Sequence, residues 1–254
     1  MRIFAVPAFA DNYVWLLADA TGATIAVDPG EAEPVRAALA RERLELTAVL
    51  LTHHHPDHIG GAAALSENGR IPVFAPHDER IALASRRVAD RDRVTIARPD
   101  LRFDVIAIPG HTSSHIAFFG HGVVFCGDTL FSVGCGRIFE GTPEQMLASL
   151  DRLAALPGDT LVCCGHEYTL ANCAFAETVE PENAALARRT VQARALRDRG
   201  SPTLPVSLAE ERACNPFLRV DADEIMTALP HAPDRVGRFA ELRRRKDGFR
   251  AAAA

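Results

Sequence analysis

Four short apolar runs organise the first two thirds of this chain: residues 46–51, 105–110, 123–127 and 160–165. Each is too short for a helix and rich in Val, Ile, Leu or Cys, the pattern of a strand buried on both faces. Before and between them the spacing predicts helices over 33–43 and 143–156, and a short helix over 60–65 that stops near Gly69. After His166 the strand pattern largely vanishes. Pro181 fits a first helical position, and the Ala, Leu and Arg-rich segment to residue 199 stops at Gly200, with Pro202 beyond. Ser207 with Glu210, and Asp221 with Glu224, have capping-box spacing, and 233–246 reads as a last helix. The pattern therefore predicts an α/β domain over 1–166 and a helical domain over 167–254, ending on an alanine run at 251–254.

Composition narrows the class without naming a function. At 254 residues the chain is long enough for a sizeable core, and its net charge of −5 speaks against a nucleic-acid partner. No apolar run approaches the 18 or so residues a membrane span needs, and the first residues lack the basic-then-apolar shape of a signal peptide, so a cytoplasmic location is expected. The six cysteines, at 126, 135, 163, 164, 173 and 214, show no Cys-x-x-Cys pair and read as free thiols. No partner chain is implied, and a monomer is expected.

The chemistry sits where the apolar runs stop. The first run feeds His53, His54, His55, Pro56, Asp57 and His58; the other three end on a glycine followed by His111, Asp128 and His166. Glycine lets the backbone turn sharply at a sheet edge, so each run delivers one metal-ligating side chain to a common edge. Neighbouring residues in an extended-to-turn segment point in different directions, so His53 and His55 can serve one ion while Asp57 and His58 reach another.

Seven ligands suit two metals. The allotment is His53, His55 and His111 to the first ion, Asp57, His58 and His166 to the second, and Asp128 shared, because neutral imidazoles cannot balance two dications. Two metals about 3.5–4 Å apart can hold a hydroxide at neutral pH. Mixed imidazole and carboxylate ligation makes zinc the first expectation and leaves iron or manganese open. His54 is expected to face away, and His115 either supports the ligands or is structural. Asp28, at the end of an apolar run, can fix the tautomer of a ligand imidazole, or simply belong to the Asp28-Pro29-Gly30 turn.

The His-x-His-x-Asp-His pattern followed by spaced His, Asp and His resembles the metallo-β-lactamase superfamily, which implies an αββα sandwich. Further segments narrow the resemblance to glyoxalase II: 8–13, 27–30, 109–112, 127–131, 134–137, 165–169 and 215–219, with the basic run 243–247 near the end. That resemblance implies hydrolysis of S-D-lactoylglutathione and related 2-hydroxyacyl-glutathione thioesters to the 2-hydroxy acid and glutathione, the second step of methylglyoxal detoxification. It also implies Arg137, Phe139, Tyr168, Arg243 and Lys246 as glutathione contacts, while the ligand chemistry itself makes Asp57, able to orient the hydroxide, and the shared Asp128 the expected catalytic carboxylates.

Two of those positions depart from the family. Arg137 and Phe139 stand where a Lys and a Tyr are common, so a point charge becomes a planar fork and a hydroxyl is lost. Taken alone, the run 243–246 is a set of solvated cations at a helix C-terminus; with the resemblance, Arg243 and Lys246 share one helix face and become ligands for a carboxylate. The competing readings are a lactonase, a lactamase, an RNA-processing nuclease or a persulfide dioxygenase of the same superfamily. A non-catalytic module clipped by its metals is the reading from another class.

Overall fold

The computed structural model describes residues 1–67 and 69–250, so the alanine run at 251–254 lies outside the described residues. The chain forms two compact units. The first comprises residues 1–107, 114–127 and 163–167; the second comprises 108–113, 128–162 and 168–254.

In the first unit, strands β1 (Arg2–Ala8), β2 (Asn12–Ala18) and β3 (Ala23–Val27) form an antiparallel meander. Helix α1 (Ala32–Glu42) then crosses over to β4 (Glu45–Leu50), which pairs parallel with β3. The short helices α2 (Pro56–Ile59) and α3 (Ala62–Leu65) follow, and β5 (Val73–Pro76) and β6 (Arg86–Val88) complete a six-stranded sheet in sequential order. Val6, Ala8, Val14, Leu16 and Ala26 of the sheet pack against Val35 and Ala38 of α1, which is why α1 needs only a narrow apolar stripe. Strands β7 (Arg93–Ile96), β8 (Leu101–Ala107), β9 (Ile116–Gly120) and β10 (Val123–Gly127) make an antiparallel second sheet.

The second unit begins its regular structure with the hairpin β11 (Leu130–Phe131) and β12 (Gly134–Cys135), then helix α4 (Pro143–Ala154) with a full Thr142–Gln145 capping box. Strand β13 (Leu161–Cys164) straddles the boundary: Cys163 and Cys164 extend the second sheet beside β10, and Leu161 and Val162 pair with β14 (Val206–Ser207). Helices α5 (Thr169–Ala176), α6 (Ala184–Arg197), α7 (Leu208–Cys214), α8 (Asp223–Ala228) and α9 (Arg235–Gly248) make up the rest. No described helix is long and apolar enough to cross a membrane.

Three helix starts differ from the sequence reading. Pro181 lies before α6, whose cap is Asn183, its side-chain oxygen accepting the N–H groups of Ala185 and Leu186. Asp221 caps nothing, because Arg235 and Arg238 hold its carboxylate at 2.6 and 2.5 Å; α8 starts two residues later without a side-chain cap. The last helix begins at Arg235 with Asp234 accepting from Gly237 N–H, and 233 precedes it. At α6 and α9 a local acceptor, Asn183 or Asp234, set the start, whereas at Asp221 the donors Arg235 and Arg238 took the carboxylate that the cap needed.

Buried polar contacts hold the β11–β12 hairpin. Glu211 of α7 accepts the Ser132 hydroxyl at 2.8 Å, the Val133 N–H at 2.8 Å and the Asn215 amide at 3.0 Å. Arg189 of α6 donates to Ser132 Oγ and to the Thr203 carbonyl. Burial raises the Glu211 carboxyl above its ordinary pKa, against the opposing pull of the donors around it.

Candidate metal centre

Strand β4 ends at Leu50, and Thr52 through His58 run from it into α2. Asp28, at the end of β3, fixes this segment: its Oδ1 accepts Thr52 N–H at 2.7 Å and its Oδ2 accepts the Thr52 hydroxyl at 2.6 Å. The same Oδ2 lies 3.1 Å from His58 Nδ1. Since the carboxylate only accepts, His58 carries its proton on Nδ1 and turns a lone pair outward from Nε2. The Thr52 hydroxyl proton is committed to Asp28, so at its 3.0 Å contact with His53 Nδ1 the imidazole is the donor. His53 Nε2 is thereby left as an acceptor, 3.1 Å from His55 Nδ1.

The turn between β1 and β2 fixes the last histidine. An isolated bridge joins Asn12 to His166, Tyr13 N–H donates to Gly165 O, and Asp11 Oδ1 lies 2.8 Å from His166 Nδ1. His166 is therefore also protonated on Nδ1. Asn12 Nδ2 donates to Asp57 Oδ2 at 3.0 Å, aiming that carboxylate. The Nε2 atoms of His58 and His166 each lie 3.5 Å from Asp57 Oδ2.

The second unit carries the other two sequence-predicted ligands. Gly110 and Gly127 adopt φ of 149° and 49°, which glycine reaches without Cβ strain, and each sits immediately before His111 or Asp128. His111 Nδ1 lies 2.9 Å from the Arg137 carbonyl, which can only accept. Its Nε2 lone pair therefore faces Asp128, 3.5 Å from Oδ2.

Within the first unit the acceptors face one another. Asp57, His58 and His166 bring their ligand atoms within 4.8 Å. Lone pairs converging at that distance repel unless a cation sits among them, so the donor set fits a metal. His54 is turned toward a different acceptor, its Nδ1 lying 3.5 Å from Asp78. His115 stacks on His53 with centroids 4.5 Å apart and 15° between planes, which supports the ring.

The residues expected to hold glutathione all lie in the second unit. Arg137 and Phe139 are exposed, Phe139 edge-on to the His111 ring at 5.2 Å, and Tyr168 stands against Phe131. Arg243 is only 6% exposed; it donates to the Cys135 carbonyl at 2.6 Å and to Asp247 at 3.0 Å. Asp247 also lies 3.6 Å from Arg137 Nε. Lys246 donates to the Ala171 carbonyl and lies between the rings of Phe175 and Phe249, where burial, reinforced by the charge of Arg243, lowers its pKa to about 8. Sequence reasoning assigned no role to Asp11, Asn12, Thr52 or Asp247. Asp11 and Asn12 lie in the segment 8–13, and Asp247 in the run 243–247, that carry the resemblance, but a segment match does not say which side chain each one meets.

Comparison with known proteins decides the family. Residues 9–166 match the metallo-β-lactamase superfamily, and residues 167–249 match the hydroxyacylglutathione hydrolase C-terminus. A hydroxyacylglutathione hydrolase of Xanthomonas axonopodis pv. citri (strain 306) is 56% identical over 257 residues, covering 99% of this chain and all of that protein. The chain belongs to the hydroxyacylglutathione hydrolase family. Another member, from Xylella fastidiosa (strain M12), is 54% identical and covers 98% of both chains. Among solved structures, ETHE1 from Myxococcus xanthus aligns with a TM-score of 0.66 at 29% identity, covering 92% of each chain. The BLEG-1 B3 metallo-β-lactamase aligns with a TM-score of 0.67 at 24% identity over 86% of this chain and all of that one, which shows the shared fold. The αββα class with a helical C-terminal part is thus that of this family.

Proposed function

We propose that this chain hydrolyses S-D-lactoylglutathione and related 2-hydroxyacyl-glutathione thioesters to the 2-hydroxy acid and glutathione, as the second step of methylglyoxal detoxification. The observation that carries this is the identity of 56% across 99% of the chain with a protein named hydroxyacylglutathione hydrolase. Lactonase, lactamase, nuclease, dioxygenase and non-catalytic readings do not account for a C-terminal match over residues 167–249.

His53, His55 and His111 would hold one divalent ion, Asp57, His58 and His166 a second, with Asp128 shared; zinc is the first choice, and iron or manganese would suit the same donors. Bound there, such ions supply Lewis acidity at the thioester carbonyl and a water acidic enough to ionise near pH 7. The chain's own residues do the positioning. Asp28 and Asp11 hold two imidazoles in the ligating tautomer, and Asn12 aims Asp57, which can also accept a hydrogen bond from the attacking water. A thiolate with a pKa of about 8.5 departs without a strong general acid, so none is required of the protein. Arg137, Arg243 and Lys246 supply positive charge for the glutathione carboxylates, Tyr168 a hydroxyl and Phe139 an apolar side. Arg243, with its donors on Cys135 and Asp247, is the fixed charge of that set. Six free cysteines fit a reducing cytoplasm, and a monomer is the expected form.

The test is turnover of S-D-lactoylglutathione by the purified protein, beside a lactam and a lactone. Hydrolysis of the thioester alone supports the reading; a lactone or lactam preferred over it refutes the substrate.

A further inference from the structure

The turn that fixes His166 and Asp57 also carries an aromatic residue with no part in that work. Phe9, first in the turn between β1 and β2, has φ of 48°, a left-handed conformation that an aromatic residue rarely adopts. It is nevertheless 54% exposed, so core burial does not offset the strain. Something holds it there: its N–H donates to Glu31 Oε2 at 2.6 Å. The ring edge and the Asp57 carbonyl press on Gly30 together, so closely that a Cβ on Gly30 would lie 2.7 Å from Phe9 Cε2 and 1.8 Å from Asp57 O. Two residues on, Asp11 meets His166, and one further, Asn12 meets Asp57. A strained, tethered and solvent-facing aromatic ring thus stands beside the ligand segment.

We propose that Phe9 is a specificity-determining residue, its ring forming an apolar wall beside Asp57 against which the acyl substituent of the thioester lies. This rests on the thioester reading above. The reacting carbonyl must approach the Asp57, His58 and His166 cluster, which leaves the substituent on its α-carbon to meet whatever borders Asp57. A ring with only two χ angles loses little side-chain freedom on binding, and its face favours apolar and aromatic substituents over a bare hydroxymethyl.

The experiment compares kcat/KM for glycoloyl-, lactoyl- and mandeloylglutathione in the wild type, Phe9→Gly and Phe9→Leu, with bound metal and thermal midpoint measured for each. Glycine suits a φ of 48°, so Phe9→Gly is expected to fold with unchanged metal content. Its preference for mandeloyl over glycoloyl should fall about threefold to tenfold, the range of an aromatic contact, with a smaller fall in Phe9→Leu. Should Phe9→Gly fail to fold, the Phe9→Leu order of preference decides by the same criterion. Equal change on all three thioesters, or none, overturns the assignment. A wild type inactive on all three overturns the thioester reading and this wall with it, whereas an active wild type whose preference does not move overturns Phe9 alone.

Discussion

Replacing Asp28 by Asn alters one atom of the side chain and should disturb both metal positions. The amide fits the same space, and Asn tolerates the φ of 50° that Asp28 adopts. Its oxygen can keep the Thr52 N–H at the Oδ1 position, which puts the NH2 group at Oδ2, facing His58 Nδ1 and the Thr52 hydroxyl. An NH2 only donates. His58 Nδ1 must then accept, moving its proton to Nε2, the atom proposed to ligate. The Thr52 hydroxyl must also accept, so its own proton turns to His53 Nδ1, 3.0 Å away, and His53 suffers the same tautomer change. The reverse amide orientation sets the NH2 against Thr52 N–H, donor against donor. Loss of a carboxylate behind a metal-ligating His weakens affinity about 10–100-fold, and full burial of Asp28 places the His58 site at the upper end, about 2.7 kcal/mol. The His53 site, one hydrogen bond further removed, should weaken about tenfold. Competition with a chromophoric chelator measures both steps, and circular dichroism checks the fold. Thr52→Val should weaken the His53 site alone, since it leaves Asp28 and His58 in contact. A folded Asp28→Asn protein holding both ions within threefold of the wild type refutes the tautomer argument.

Further outcomes follow from the geometry. Elemental analysis of active protein should find two divalent ions per chain, with turnover lost on chelation, and Asp128→Ala should be the most damaging single ligand change because the proposed site shares it; full activity with one ion would show that reading wrong. Lys246, its pKa lowered to about 8, loses its charge as pH rises through that value, so KM for a glutathione thioester should climb above pH 8 while a thioester without carboxylates keeps its KM. The same lowering means the unfolded chain holds that proton up to the ordinary 10.5, so this group's contribution to stability rises between about pH 8 and 10.5, readable as a denaturation midpoint that Lys246→Met flattens. Glu211→Ala removes the acceptor of Ser132, Val133 and Asn215 and leaves Arg189 without its nearby carboxylate; urea denaturation should show a loss of about 3–5 kcal/mol, and a change below about 1 kcal/mol would mean the network is not worth what its burial implies.

The sequence by itself determined the parts whose signal is local. A ligand at the end of an apolar run, preceded by a glycine, is a feature of adjacent residues, so His53, His55, Asp57, His58, His111, Asp128 and His166 could be read as candidates before any strand was paired. Helices α1, α4 and α7 were legible for the same reason, since periodicity and caps lie within one segment. Only the tertiary structure decided which nitrogen of each histidine carries the proton. That depends on Asp28 reaching Thr52 and His58 from 24 and 30 residues away, and on Asp11 reaching His166 from 155. It also turned Asp221 from a predicted cap into a partner of Arg235 and Arg238, and committed the donors of Arg243 to Cys135 and Asp247. A hydrogen-bond acceptor advertises its chemistry in the sequence but not its donor, because the choice among donors is made by distance in the folded chain.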